Sequence, residues 1–213
     1  MATRADALSR ERIVAAAVAL LDVAGESGLT FRALAAHLRT GPGAIYWHVA
    51  NKDELLIAAT DAVIGDAMAA GVTGDGPQAT IRAVALGVFD AIDAHPWAGT
   101  QLTRMPSQRS VLRLFERVGR QLQALGVPAA AQFGAASAVL NYILGVAGQN
   151  AALARSQEPG TDRTAVLAAA SADLDPDEYP FTRSVAAQLR EHDDREQFLA
   201  GVDLVLAGIA ALR

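Results

Sequence analysis

The 213-residue chain contains no cysteine, and only 5% of its residues are aromatic. The absence of cysteine excludes disulfide bonds and thiolate chemistry, and it fits a protein of the reducing cytoplasm. The N-terminal apolar run directly follows Glu11 and Arg12 and has the pattern of an amphipathic helix. We therefore do not interpret it as a signal peptide, and we expect a cytoplasmic protein.

Long uncharged apolar runs, which a membrane-spanning helix needs, do not stand out in the sequence. The closest is the stretch 129–154, which contains the amides of Gln132, Asn141, Gln149 and Asn150. These polar side chains favour a buried interface helix, so we expect no membrane partner.

Lysine is almost absent as well: Lys52 is the only lysine in the sequence, and the other seventeen basic residues are arginines. The charge is unevenly spread. Residues 1–52 hold six basic and four acidic residues, a net charge of +2, whereas the rest holds 12 basic and 19 acidic residues, a net charge of −7. A mildly basic N-terminal segment on an acidic body suggests contact with a polyanion.

The alternating pattern of β-strands is also absent, and the apolar residues recur at helical spacing. The sequence therefore predicts an all-α protein, with helices at about 10–24, 31–38, 42–48, 51–70, 78–94, 97–104, 108–125, 129–155, 163–173, 182–192 and 195–212. The stretch "GVTGDGP" at 71–77 breaks the chain. We expect one domain at 1–52 and a second at 53–213, connected by the helix 51–70.

Short-range signals set these helix boundaries. Ser9 and Thr30 are predicted N-caps, Gly25 is a predicted C-cap, and Pro42 suits the first turn of the third helix. Two capping boxes are predicted, Asn51 with Glu54 and Asp194 with Gln197.

Three adjacent side chains, Tyr46, Trp47 and His48, cannot all face a core, because consecutive positions spread around a helix. Ile45 and Val49 can face the interior of a small three-helix head, which leaves the rings pointing partly outward. Two short helices joined by a glycine-containing turn are typical of a DNA-binding helix-turn-helix. The alternative is that Tyr46 and Trp47 pack against the body of the protein.

The segment "LTFRALAAHLRTGPGAIYWHVANKDELL" resembles the DNA-binding region of the tetracycline-repressor (TetR) family. The specific match covers about residues 9–65, and "YWHV" followed by "NK" is most similar to the tetracycline repressors themselves. The resemblance implies an N-terminal helix-turn-helix head on a helical body that binds a small-molecule effector and dimerises. It also implies a transcriptional regulator, most simply a repressor that its effector releases from operator DNA.

The resemblance assigns DNA contacts residue by residue. Residues 42–48 would form the recognition helix, and the implied contacts are Thr30, Arg32, Pro42, Gly43, Ala44, Tyr46, Trp47, His48 and Lys52. The front of this helix lacks the polar side chains that the family often places there. We therefore expect operator choice to depend on Arg32, on apolar contact of Pro42 and Ala44 with thymine methyls, and on DNA shape.

A palindromic operator requires a dimer, and two helices offer suitable surfaces. Small residues in the helix 129–155 permit close approach, and the last helix carries a heptad-like seam. The predicted interface residues are Gly145, Gly148, Phe198, Val202, Val205 and Ile209. Without the resemblance, we would assign both surfaces to the core within a single chain.

The resemblance also implies an effector pocket in the body, and an apolar wall with few polar groups suits a ligand site. The candidates are Phe89, His95, Trp97, Met105, Asn141, Tyr142 and Gln149. The four histidines show no metal-ligand spacing, so we predict neither a metal site nor a cofactor.

Two other classes of protein stay open at this point, an all-helical enzyme and a helical interaction module. The enzyme lacks a recognisable nucleophile–base pair, carboxylate dyad or phosphate-binding glycine loop. A row of arginines, Arg109, Arg113, Arg117 and Arg120, lies on one helix face. It is either a solvated face or a second nucleic-acid contact.

Overall fold

The computed structural model describes residues 8–70, 75–104, 109–156, 175 and 177–212. Within these ranges the chain is all-α, with eleven helices and no strand. The helices are α1 (Arg10–Gly28), α2 (Phe31–Leu38), α3 (Pro42–Tyr46), α4 (Lys52–Ala70), α5 (Pro77–Ala94), α6 (Pro96–Arg104), α7 (Arg109–Ala124), α8 (Ala129–Ser156), α9 (Pro180–Ser184), α10 (Ala186–Glu191) and α11 (Asp194–Ala210). The predicted helix 163–173 lies outside the described residues.

Capping residues begin the head helices as the sequence predicts. Ser9 Oγ accepts a hydrogen bond from the backbone N–H of Arg12 at 3.3 Å, and Thr30 Oγ1 accepts one from Ala33 at 3.1 Å. Gly25 has a φ of 62°, a conformation that favours glycine, and interrupts the helical backbone of α1. The predicted N-caps are therefore confirmed. The helical backbone breaks at Gly25, where the C-cap was predicted, but α1 resumes after this kink and ends at Gly28, with Leu29 as its C-cap residue.

Three further boundaries differ from the prediction. The N-cap of α11 is Asp193, whose Oδ1 accepts from the N–H of Glu196 at 2.8 Å, so the predicted capping box at Asp194 was wrong by one position. The predicted helix 182–192 is two short helices that meet at Val185. The helix α3 ends at Tyr46, and Trp47 is its C-cap residue.

Two apolar clusters form the core, one in the head and one in the body. The head cluster joins α1, α2 and α3 to the first part of α4, through residues such as Leu55 and Ala59. The body cluster takes the later part of α4, including Ile64, together with α5, α7, α8 and α11. Because one rigid helix contributes to both clusters, α4 connects the head to the body.

The helix α8 is the long central helix of the body, and it packs against α5, α6, α7 and α11. By length and composition alone, the stretch Ala129–Leu153 is apolar enough to cross a membrane. One side of it packs against four helices of the same chain, and 22% of its most apolar window is buried. Gly99 of α6 brings that helix close, since a Cβ at Gly99 would lie 2.8 Å from the Cβ of Ala151.

Candidate nucleic-acid interface

The turn between α2 and α3 fixes how the two short helices cross. Arg39 adopts a left-handed conformation with a φ of 54°, and its N–H donates to Ala36 O at 3.2 Å. The N–H of Thr40 donates to Ala35 O at 2.9 Å. Ile45 and Val49 are buried, as predicted, so the inner side of α3 is held against the head core.

The rings of α3 lie on the surface of the head. Trp47 is 89% exposed and Tyr46 is 54% exposed. The Tyr46 ring stacks on Phe31 of α2, with centroids 4.3 Å apart and planes within 5°. The alternative that Tyr46 and Trp47 pack against the body is therefore excluded. An exposed indole of this size on a small head indicates a contact surface.

Other predicted contact residues lie on exposed parts of α2 and α3. Thr30, Arg32, Pro42 and Gly43 are exposed, and Ala44 is half-buried. Among the residues that the structure describes, Arg32 has no ion-pair partner. A cation that is exposed and not internally paired can contact a phosphate or a base edge.

The exposed cation Arg39 was missing from the predicted contacts. It occupies the turn directly before α3. The signal that could have found it is the stretch "LRTGP", in which an arginine lies three positions before the first residue of α3.

Lys52 and His48 also make contacts within the head, and their predicted roles toward DNA stay predictions. The Lys52 ammonium donates to the carbonyl oxygen of Glu26 at the end of α1. The carbonyl oxygen of His48 accepts from Arg10 Nη1 at 2.8 Å. Lys52 therefore joins α4 to α1 first, and only its remaining N–H groups are available to DNA.

The start of α4 carries a charged hydrogen-bond network. Asn51 Oδ1 accepts from the N–H of Glu54 at 2.8 Å, and the carboxylate of Glu54 accepts from the N–H of Ala50 at 2.9 Å. Arg10 Nη1 also donates to Glu54 Oε1 at 2.8 Å. The Ala50 N–H, followed by Arg10, holds the pKa of Glu54 below its usual value. The Asn51 cap confirms the predicted helix start, whereas the Glu54 carboxylate bonds to the N–H of Ala50 instead of closing the predicted capping box on Asn51.

Two acidic residues of α1 join the head to α6. Asp22 Oδ1 accepts from Trp97 Nε1 at 2.7 Å and lies 2.6 Å from His95 Nδ1. Glu26 Oε2 accepts from Arg104 at 3.0 Å and from Gln101 at 3.1 Å. Asp22 therefore holds the rings of His95 and Trp97 at the junction between head and body. Their assignment to an effector pocket stays a prediction.

The remaining predicted effector residues do not form one site. Phe89 is buried and stacks on Phe198, and Tyr142 donates from its hydroxyl to Phe198 O at 3.1 Å. Burial raises the pKa of Tyr142. Asn141 and Gln149 are exposed on the outer side of α8. Met105 lies outside the described residues.

A cleft of about 1090 Å³ lies between α1, α4, α5 and α7. Of the predicted effector residues, His95 lines it. The floor is apolar, with Val14 of α1 and Ile57 of α4, and charged residues such as Asp66 and Arg113 border it. Its walls belong to both the head and the body.

The predicted dimer seam on α11 faces the body of its own chain. Phe198, Val202 and Ile209 are at most 5% exposed, and Val205 is half-buried. The heptad-like spacing therefore marks the intramolecular face, so the assignment of these residues to a dimer interface is corrected.

The two glycines of α8 that were predicted in the dimer interface have different surroundings. A Cβ at Gly148 would lie 2.8 Å from Thr103 Cγ2, so this glycine serves the packing of α6 on α8. A Cβ at Gly145 would meet nothing within 4 Å, so Gly145 remains on the open face.

The compact three-helix head, the tight turn before α3 and the exposed cation and rings beside it define a helix-turn-helix DNA-binding protein. Family models agree. The model described as "Bacterial regulatory proteins, tetR family" matches residues 13–59, and "Tetracyclin repressor-like, C-terminal domain" matches residues 73–213. The chain therefore belongs to the TetR family of transcriptional regulators, and the resemblance drawn from its sequence is confirmed.

Individual relatives support this assignment. A TetR transcriptional regulator of Streptomyces coelicolor with a solved structure is 58% identical, with a TM-score of 0.86, over 97% of this chain and 99% of that one. Tetracycline repressor protein class D of Escherichia coli is 30% identical over 94% of this chain and 88% of that protein. An HTH-type transcriptional regulator of Saccharopolyspora erythraea is 33% identical over 72% of this chain, and the match spans 66% of that regulator's length.

Proposed function

We propose that the chain is a cytoplasmic repressor that binds a palindromic operator as a homodimer and is released by a small-molecule effector. The observation that carries the proposal is the exposed side of α2 and α3, where an unpaired Arg32 accompanies two outward rings. We propose no enzymatic activity.

In the proposed complex, the N-terminal end of α3 enters the major groove, as recognition helices do. Arg32 contacts a phosphate or a base edge, and Tyr46 and Trp47 lie against the sugar-phosphate backbone. Pro42 and Ala44 supply apolar contact to thymine methyls. Thr30, Gly43, His48 and Lys52 complete the contact surface.

The proposed dimer uses the outer face of α8 and α11 rather than the buried seam. These helices pack on each other, and both also pack on α5, so their outer sides face away from α5 together. Leu204 of α11 is 76% exposed. The same two helices carry small exposed residues, Gly134, Ala138, Gly145, Ala200, Ala207 and Gly208.

Two observations support the proposed response to an effector: the division into a head and a body, and the similarity to tetracycline repressors. One relative is a tetracycline repressor by name, and the C-terminal model that matches this chain is described in the same terms. The domain boundary that we propose lies within α4, where the head and body clusters meet. An effector bound in the body favours one position of α4 and α6, and therefore one spacing of the two heads.

Fluorescence anisotropy with a labelled duplex from the region upstream of the chain's own gene tests operator binding. We expect Arg32→Ala and Trp47→Ala each to weaken binding by about tenfold or more. Arg183→Ala, which removes an exposed charge on α9, is the matched control and keeps full affinity. The affinity of the unmodified chain falls steeply as salt rises.

Equal affinity of all four proteins, or binding that is insensitive to salt, contradicts the proposed contact surface. A compound that raises the melting temperature of the chain and also releases the duplex identifies the effector.

A further inference from the structure

The arginine row on α7 is a charged motif of the sequence that the proposed operator binding does not use. Arg109, Arg113, Arg117 and Arg120 lie 4, 4 and 3 positions apart, which places them within one side of the helix. At a rise of 1.5 Å per residue, the row is about 16 Å long. We define these four residues as the arginine face.

Most of this positive charge is not neutralised within the protein. Arg109, Arg113 and Arg117 have no hydrogen-bond or ion-pair partner among the described residues. Arg120 pairs with Glu116 at 2.7 Å, but both side chains are more than 60% exposed, and such a surface pair is weak. The cations therefore concentrate on one helix of a body whose net charge is negative.

A groove with an apolar part accompanies the arginine face. It has a volume of about 800 Å³, and it is lined by the four arginines, by the apolar Leu112 and Phe115, and by Thr80, Glu116 and Gln121. Glu116 is paired with Arg120. Leu112 is 60% exposed, and Phe115 makes an edge contact with Phe133, whose ring is 76% exposed, at a centroid distance of 6.2 Å. Water thus contacts apolar side chains directly beside the unpaired guanidinium groups.

We infer that the arginine face and its groove bind an anionic amphiphile, a small molecule with a carboxylate or phosphate head on an apolar body. Guanidinium groups bind such heads through paired N–H donors, and the groove covers the apolar part. Charge complementarity selects the sign of the head, and the exposed leucine and phenylalanine select the amphiphile over a simple anion.

A nucleic acid fits this surface less well. The N-terminus of α7 docks on the middle of α4, where the N–H of Ser110 donates to Asp61 at 2.9 Å. The arginine face therefore begins beside the middle of α4 rather than beside α3. A duplex backbone also gains nothing from exposed Leu112 and Phe133.

Isothermal titration calorimetry of the full chain with dodecyl phosphate, below its micelle concentration, tests the inference. We expect saturable binding that the double variant Arg113→Ala/Arg117→Ala weakens at least tenfold. The matched control Arg183→Ala/Arg190→Ala removes two exposed arginines from α9 and α10 and binds as the unmodified chain does. Alanine favours helix, and a thermal melt verifies that each variant is folded.

Three results overturn the inference. The first is equal binding of dodecyl phosphate by the two double variants. The second is equal binding of dodecyltrimethylammonium or inorganic phosphate by the unmodified chain, because the site then selects neither charge nor an apolar body. The third is a loss of affinity for an unrelated duplex in the α7 variant as large as that in Arg32→Ala, which assigns the face to nucleic acid. The calorimetry does not depend on operator binding, so the two proposals fail separately.

Discussion

Glu54 shows how one side chain joins three parts of the head. Its carboxylate accepts from the N–H of Ala50, which precedes α4, and from Arg10 of α1, while its own N–H donates to Asn51. The Arg10 guanidinium also donates to the carbonyl of His48. The start of the connecting helix, the end of the recognition segment and α1 are thus held by one charged cluster.

The lowered pKa of Glu54 predicts how this cluster responds to acid. A carboxyl whose pKa is lower in the folded state stabilises the fold above its unfolded pKa of 4.5 and loses that contribution as the pH falls through the folded pKa. We expect Glu54→Gln to lower the melting temperature by about 2 °C at pH 7. The difference from the unmodified chain shrinks as the pH falls below 4.5.

Asp53→Asn is the matched control, because Asp53 is an exposed carboxylate in the same first turn. Thermal melts from pH 7 down to pH 3 compare the two variants. A Glu54→Gln difference that stays constant over this range, or one equal to that of Asp53→Asn, contradicts the assigned role.

At the residue scale, the caps could be predicted and the tertiary partners could not. Ser9, Thr30 and Asn51 bond to groups three positions away, so their partners are present in the local sequence. Asp22 bonds to residues more than 70 positions away, and the sequence around Asp22 does not indicate which residues they are. For the same reason, the sequence could not show that His95 and Trp97 serve the junction with the head.

At the scale of helices, Gly201 determines how closely α11 approaches α8. A Cβ at this position would lie 1.9 Å from the Tyr142 hydroxyl oxygen and 2.4 Å from Cζ of the same ring. The Tyr142 ring also stacks on Phe198, with centroids 5.5 Å apart, and its hydroxyl bonds to the Phe198 carbonyl. The ring therefore has little freedom to move away.

We predict that Gly201→Ala destabilises the fold by about 1–3 kcal/mol, although alanine is the better helix former, because the new methyl overlaps the fixed ring. Urea denaturation measures the change. Gly119→Ala on α7 is the control. No atom lies within 4 Å of its added Cβ, so we expect a gain of about 0.5–1 kcal/mol.

The double variant Gly201→Ala/Tyr142→Ala tests whether the loss of stability comes from overlap between the new methyl group and the Tyr142 ring. If the methyl acts through the ring, Gly201→Ala costs much less in the Tyr142→Ala background. An equal cost in both backgrounds shows that the close approach does not matter.

Helix positions were predicted to within a few residues, but the partners of the helix faces were not. The seam of Phe198, Val202 and Ile209 has the spacing of a coiled coil, yet it packs inside its own chain. Periodicity identifies an apolar face and carries no information on which chain covers it. The exposed face of α11 is harder to recognise, because Leu204 stands there among alanines and glycine.

At the scale of the whole molecule, the central helix α8 is poorly covered by a single chain. Of its most apolar 18-residue window, 22% is buried. The uncovered side continues onto the outer face of α11, where Leu204 is 76% exposed. An apolar surface of this extent on two adjacent helices requires a partner, and a second copy of the same face is self-complementary in a two-fold dimer.

We predict that Leu204→Glu converts the proposed dimer to a monomer, because the proposed interface would then bury two facing carboxylates without a counter-ion. Sedimentation equilibrium measures the change in mass. Val23→Glu places the same charge on a side chain that is 88% exposed on α1, and this variant stays dimeric. A Leu204→Glu protein that remains a dimer places the interface elsewhere on the chain.

The Leu204→Glu monomer is expected to retain its helical content and to melt cooperatively, because the Leu204 side chain is 76% exposed in the single chain. It is expected to lose most of its operator affinity. Each half-site would then be bound by one head alone, without the effective concentration that joining two heads supplies. Retention of full operator affinity by a proven monomer contradicts the proposal that the two heads act as a pair.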